Sequence, residues 1–233
     1  MVTDSEVMPL GDSASDRVTR TLSTLVGRIP MLGWMMQVAI AEVIPNIRLQ
    51  RIEAYLLHLD QRIDQVKFKA ALEQPEGLDL FEEGLWQSAR ALDDDRKRYI
   101  AELIAKGMAE SSAKQEQTRH FLRLLGQIGD SQIIILTSYL SQFGSLGGEE
   151  TAAFYERHRD VLGPFSREIG SNNPDAGRAE HKDALERHLS SLGLLDVASE
   201  DLGGLAGSPG ASVTYRITPQ GSQFLQYIGV SLA

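Results

Sequence analysis

At 233 residues the chain is long enough for one large domain or two modest ones, and 42% hydrophobic with 24% charged residues excludes wholesale disorder. A net charge of -9 and a pI near 5.1 oppose sequence-independent attraction to phosphate, so nucleic-acid binding is possible but disfavoured and requires a local basic patch. The absence of cysteine excludes disulfides, thiolate nucleophiles and the common structural zinc sites, and it fits the expected cytoplasmic location.

Residues 1–17 mix Asp, Ser, Gly and Pro and read as a flexible tail, with acids where a secretory signal carries its apolar core. Ser15 or Asp16 is placed to cap a short helix through Val18, Leu22 and Leu25. The apolar run Ile29 to Ala41, IPMLGWMMQVAIA, falls short of the about 20 residues that a membrane span needs. It reads either as a buried helix or hairpin with Pro30 in its first turn, or as an interfacial segment. In the second case Trp34, Met35 and Met36 meet a membrane boundary or a partner.

After Pro45 the apolar residues Leu49, Ile52, Leu56, Leu59, Ile63, Val66 and Ala70 recur at alternating steps of three and four. This is the seam of a coiled coil or a long bundle helix, flanked by charges of alternating sign. Such a seam needs a cover, either the same chain folded back or a second copy. Gln74 to Gly77 end the helix, and another follows from Asp79 to Leu92 with Leu80, Leu85, Trp86 and Ala89 on one face.

Asp93, Asp94 and Asp95 supply an N-cap and favourable charge to a helix whose stripe is Tyr99, Ile100, Leu103, Ile104 and Met108. A magnesium reading of the triplet lacks a second acidic cluster or phosphate loop. A helix from Ser112 to Gln127 carries Phe121, Leu122, Leu124 and Leu125, with Ile128 just beyond. Gly129 and Asp130 turn the chain into SQIIILTSYLSQF, read as a helix because Leu136, Tyr139 and Leu140 keep helical spacing. GSLGG then reads as a linker.

The block LWQSARALDDDRKRYIAELIAKGMA followed by TRHFLRLLGQIGDSQIIIL resembles the helix order of bacterial Abi-alpha-type proteins, a family named for abortive phage infection. The resemblance covers about 60 residues, implies a setting in phage defence, and carries over no catalytic residue.

The remainder reads as a helix from Glu149 to Leu162, a Gly/Pro/Asn-rich connection, and a helix from Arg178 to Leu192 ending at Gly193. A Gly-rich segment, a strand from Val213 to Ile217, and a last helix capped by Thr218 with Pro219 at its first position follow. This order resembles the winged-helix fold of bacterial regulators, in which such a Leu-Gly-Leu-Leu exit ends the recognition helix. Arg178, Lys182 and Arg187 are the candidate contacts to DNA or to a partner. Residues 151–233 nevertheless hold seven Lys and Arg against ten Asp and Glu, and no cation precedes Arg216 in the wing, which favours protein contact.

No nucleophile elbow, phosphate loop or dinucleotide fingerprint occurs. His181 and His188 are seven apart, whereas a metal pair on one helix sits three or four apart. No enzyme activity, cofactor or metal is therefore expected. The expected fold is mainly α: a flexible tail (1–17), a helical bundle with a long heptad helix (18–146) and a winged-helix-like module with a small β-hairpin (147–233). The expected function is a non-catalytic, oligomeric interaction or regulatory protein. Its partners are a second copy, through Leu49, Ile52, Leu56, Leu59, Ile63 and Val66, and an unidentified protein. The alternatives are a winged-helix transcriptional regulator and a membrane-acting effector that uses residues 29–44.

Overall fold

The computed structural model describes residues 46–110, 112–143, 148–165, 174–201 and 212–230. They form ten helices and one antiparallel hairpin: α1 Asn46–Asp60, α2 Gln65–Leu72, α3 Pro75–Arg90, α4 Asp94–Ala109, α5 Ser112–Gln127, α6 Asp130–Phe143, α7 Gly148–Arg157, α8 Arg159–Leu162, α9 Pro174–Ser191, β1 Leu195–Asp201, β2 Ser212–Ile217 and α10 Pro219–Tyr227. The protein is mainly helical with a small sheet near its C-terminus, as the sequence predicts. It divides into two compact units between Arg119 and His120, inside α5. The sequence reading divides the chain at the GSLGG linker instead. The earlier boundary reflects α6, whose side chains pack on α8, α9, β2 and α10.

In the first unit α1 and α2 pack on α3 and α4. The core is built from Ile52, Tyr55, Leu56 and Leu59 of α1, Phe68 and Leu72 of α2, Leu80, Phe81 and Leu85 of α3, and Ile100, Leu103, Ile104 and Met108 of α4. Phe68 meets Phe81 edge to face at 5.5 Å, a preferred aromatic geometry.

The heptad stretch is two helices, not one. α1 ends at Asp60, where Arg62 donates to the His58 carbonyl (2.7 Å) and to Glu102 Oε2 (2.6 Å). Asp64, in an extended conformation, then caps α2 by accepting from the amides of Val66 and Lys67. The break resets the register. Ile52, Leu56 and Leu59 stay buried and Ile63 is half-buried in the turn, but Val66 is 81% exposed and Ala70 is exposed, while Phe68, Ala71 and Leu72 face the core. Leu49 lies in the first turn of α1. α3 likewise departs from its expected face: Phe81 is buried, whereas Trp86 is 56% exposed and Leu92 lies beyond the helix.

In the second unit Phe121 packs against Phe224 and Tyr227 of α10 at 5.8 and 5.0 Å. The expected helix from Glu149 to Leu162 is interrupted at His158, giving α7 and α8. The hairpin pairs Leu195 with Ile217 and Val197 with Tyr215, and its register shifts between Val197 and Ser199. At its base Gly193 adopts φ +74°, and the amides of Gly193 and Leu194 bond back to the carbonyls of Ser190 and Leu189, closing α9 in a Schellman motif. Thr218 accepts from the Gly221 amide (2.9 Å) and donates to the Gly193 carbonyl (2.7 Å), so one hydroxyl caps α10 and ties it to the end of α9.

Candidate contact face and adjoining groove

Helix α9 carries the three cations singled out in the sequence, and its burial pattern decides what they do. Ala179, Glu186 and Leu189 are buried and Lys182 and Leu185 are half-buried, which is one stripe at steps of three and four. Lys182 therefore faces inward. Its ammonium donates to the Leu162 carbonyl (3.1 Å) and stands 3.9 Å from Glu186. Glu186, 6% exposed, also accepts from the Tyr139 hydroxyl at 2.9 Å, so the buried carboxylate is compensated from two sides. Burial and then the neighbouring Glu186 carboxylate push the Tyr139 phenol far up, so it remains a neutral donor.

Arg178 and Arg187 are both exposed, but they are nine residues apart. At about 100° per residue they project from opposite flanks of the helix. Arg178 has Asp175 for a neighbour at 3.8 Å. Between the flanks the solvent face presents Glu180, His181, Ala184, His188 and Ser191. The structure thus sets Arg187 apart from Arg178 and Lys182, which are one turn apart on the same side of α9. The hairpin's cation is paired too: Arg216 lies opposite Asp196 and bonds Asp196 Oδ2 through Nη2 (2.7 Å) and Nε (3.3 Å). That contact holds the Asp196 carboxyl below its ordinary range.

Beside α9 lies a half-open groove of about 370 Å³, lined by Ser131 of α6, Asp160 and Val161 of α8, Phe165, and Arg178, His181, Lys182 and Leu185 of α9. Sequence reasoning missed it because its walls come from three separate stretches. The inward turn of Lys182 had a usable signal, since Ala179, Lys182, Glu186 and Leu189 already keep helical spacing in the sequence.

The other candidates resolve into structural contacts. Asp93 occupies the N-cap position of α4 without a side-chain cap bond. Asp94 meets His58 (3.0 Å) and Lys97 (3.2 Å), and Asp95 meets Arg98 (2.9 Å), so the three aspartates take separate structural places. His188 Nδ1 meets the Gln132 amide (2.9 Å), and His120 meets Gln220 (3.0 Å). Among the described residues no group of three His, Cys, Asp or Glu is placed to hold a metal, and no helix is long and apolar enough to cross a membrane. Trp34, Met35 and Met36 lie outside the described residues. No family model matches the chain, nor does any curated protein or solved structure.

Proposed function

We propose that this chain is a non-catalytic interaction protein of the bacterial cytoplasm whose C-terminal unit, winged-helix-like in its order of helices and hairpin, meets a protein partner and not DNA. The observation that carries this reading is the inward commitment of Lys182 to Leu162 and Glu186. With Arg216 paired to Asp196 and Arg187 on the opposite side of α9 from Arg178, the candidate cations do not form one joint surface for phosphate or base edges. The exposed face of α9, with Glu180, His181, Ala184 and Arg187, is of mixed charge and small at its centre, which suits the rim and middle of a protein contact. The first unit acts as the platform. Because Ile52, Leu56 and Leu59 of its seam are buried within the unit, self-association runs instead through exposed residues, of which Val66 and Ala70 are the seam positions still open to a second copy among those with a described burial. The phage-defence setting rests on the Abi-alpha resemblance alone.

Fluorescence anisotropy of a labelled random duplex, titrated with the protein at about 50 mM and then about 200 mM salt, tests the reading. No binding at the lower salt is expected. Binding that weakens steeply with salt would overturn it and put the transcriptional regulator first.

A further inference from the structure

The groove bounded by α6, α8 and α9 has a chemistry that protein contact by the outer face of α9 does not use. Its volume of about 370 Å³ falls within the about 300–1,000 Å³ of small-molecule sites. Val161, Phe165 and Leu185 are each half-buried and give it an apolar wall. Lys182 lines the groove too, but its ammonium donates to the Leu162 carbonyl (3.1 Å), whereas the Arg178 guanidinium, also on the groove wall, stands 3.8 Å from Asp175. Its 3.8 Å separation from Asp175 is well beyond the about 2.8 Å of a charge-assisted hydrogen bond, so a better-placed acid displaces that neighbour at small cost. Asp160, on the α8 wall, repels a second negative charge.

We propose that this groove binds a small monocarboxylate with an aromatic or branched apolar body: the carboxylate on Arg178, the body against Val161, Phe165 and Leu185. Asp160 discriminates against dicarboxylates and phosphates. The inference is independent of whether the outer face of α9 meets a protein.

The test is a titration of the full chain with phenylacetate, followed by amide chemical shifts, with inorganic phosphate as the anion that lacks a body. A ligand of this size is expected to bind with a Kd on the order of millimolar, shifting amides of α8 and α9. Arg178→Gln, at an exposed position and so expected to melt with the wild type, should weaken phenylacetate roughly tenfold. Leu185→Ala should weaken it as well, through loss of part of the apolar wall. Absence of phenylacetate shifts, equal shifts with phosphate, or unchanged affinity in Arg178→Gln would each overturn the proposal.

Discussion

The heptad stretch of the first unit and the joint between hairpin and last helix in the second carry sequence patterns of similar clarity, yet they fared differently. At the joint, Gly193, Thr218 and Pro219 each act on the backbone next to them, and the cap and the helix stop stand where the sequence puts them. In the heptad stretch the pattern describes a face, and a face says neither how far one helix runs nor what covers it. Asp64, an apparently ordinary flanking charge, ends the pattern by capping α2.

The sharpest way to break this comparison lies within the heptad itself. Leu56 and Val66 occupy equivalent-looking seam positions, but Leu56 is 3% exposed. Leu56→Ala should cost about 2–5 kcal/mol, whereas Val66→Ala should stay within about 0.5 kcal/mol. Equal losses in urea melts would mean that the seam is continuous and that Val66 is covered by a second copy.

A somewhat smaller effect is expected at the joint. A Cβ on Gly221 would stand 2.3 Å from the Leu194 carbonyl oxygen, a backbone atom with little room to yield. Gly221→Ala should therefore cost about 1–3 kcal/mol through displacement of α10 from the hairpin base. A melt indistinguishable from wild type would show that the close approach is not maintained in solution.

The same contrast governs what was legible overall. The stripes of α4, α5 and α6 could be read because Ile100, Leu103, Ile104, Phe121, Leu125, Ile135 and Leu136 pack at helical period inside single helices. Trp86 was misplaced because chemistry alone suggested burial, while Phe81 took the core position beside Phe68. The contact face was half legible: charge counting found Arg178, Lys182 and Arg187, but only the helical angle sets Arg187 apart from the other two. The pairing of Tyr139 with Glu186 spans 47 positions, and the groove joins three separate stretches of the chain. Nothing local records such meetings.

The first unit also contains a residue that works against its own core, and this sharpens the point that burial and satisfaction are separate. Tyr55 is fully buried with no hydrogen-bond partner for its hydroxyl, which sits where a side chain on Gly84 would be. Burial pushes its phenol far up. Tyr55→Phe removes the unpaired oxygen and keeps the ring, so stability should rise by up to about 2 kcal/mol, seen as a higher urea midpoint with unchanged slope. A loss of stability would mean that the hydroxyl is paired in solution.

The smallest effect concerns Asp94, which links α1 to α4 through His58. Burial acts to raise its carboxyl, but hydrogen bonds from Lys97 and His58 outweigh it and hold the group below its ordinary 3.8. The unfolded chain therefore takes up this proton first as pH falls. The contribution is complete above the ordinary aspartate range and disappears as pH drops through the lowered folded value. Because the side chain is 68% exposed, solvent screens the pair and the gain is only about 0.2–1 kcal/mol. Asp94→Asn should melt slightly below wild type at pH 7, and the two should converge as pH falls below the ordinary aspartate range and the carboxyl is protonated in the folded chain as well. A gap that persists into acid would assign the loss to packing between α1 and α4, and the charge would then be incidental to how the first unit closes.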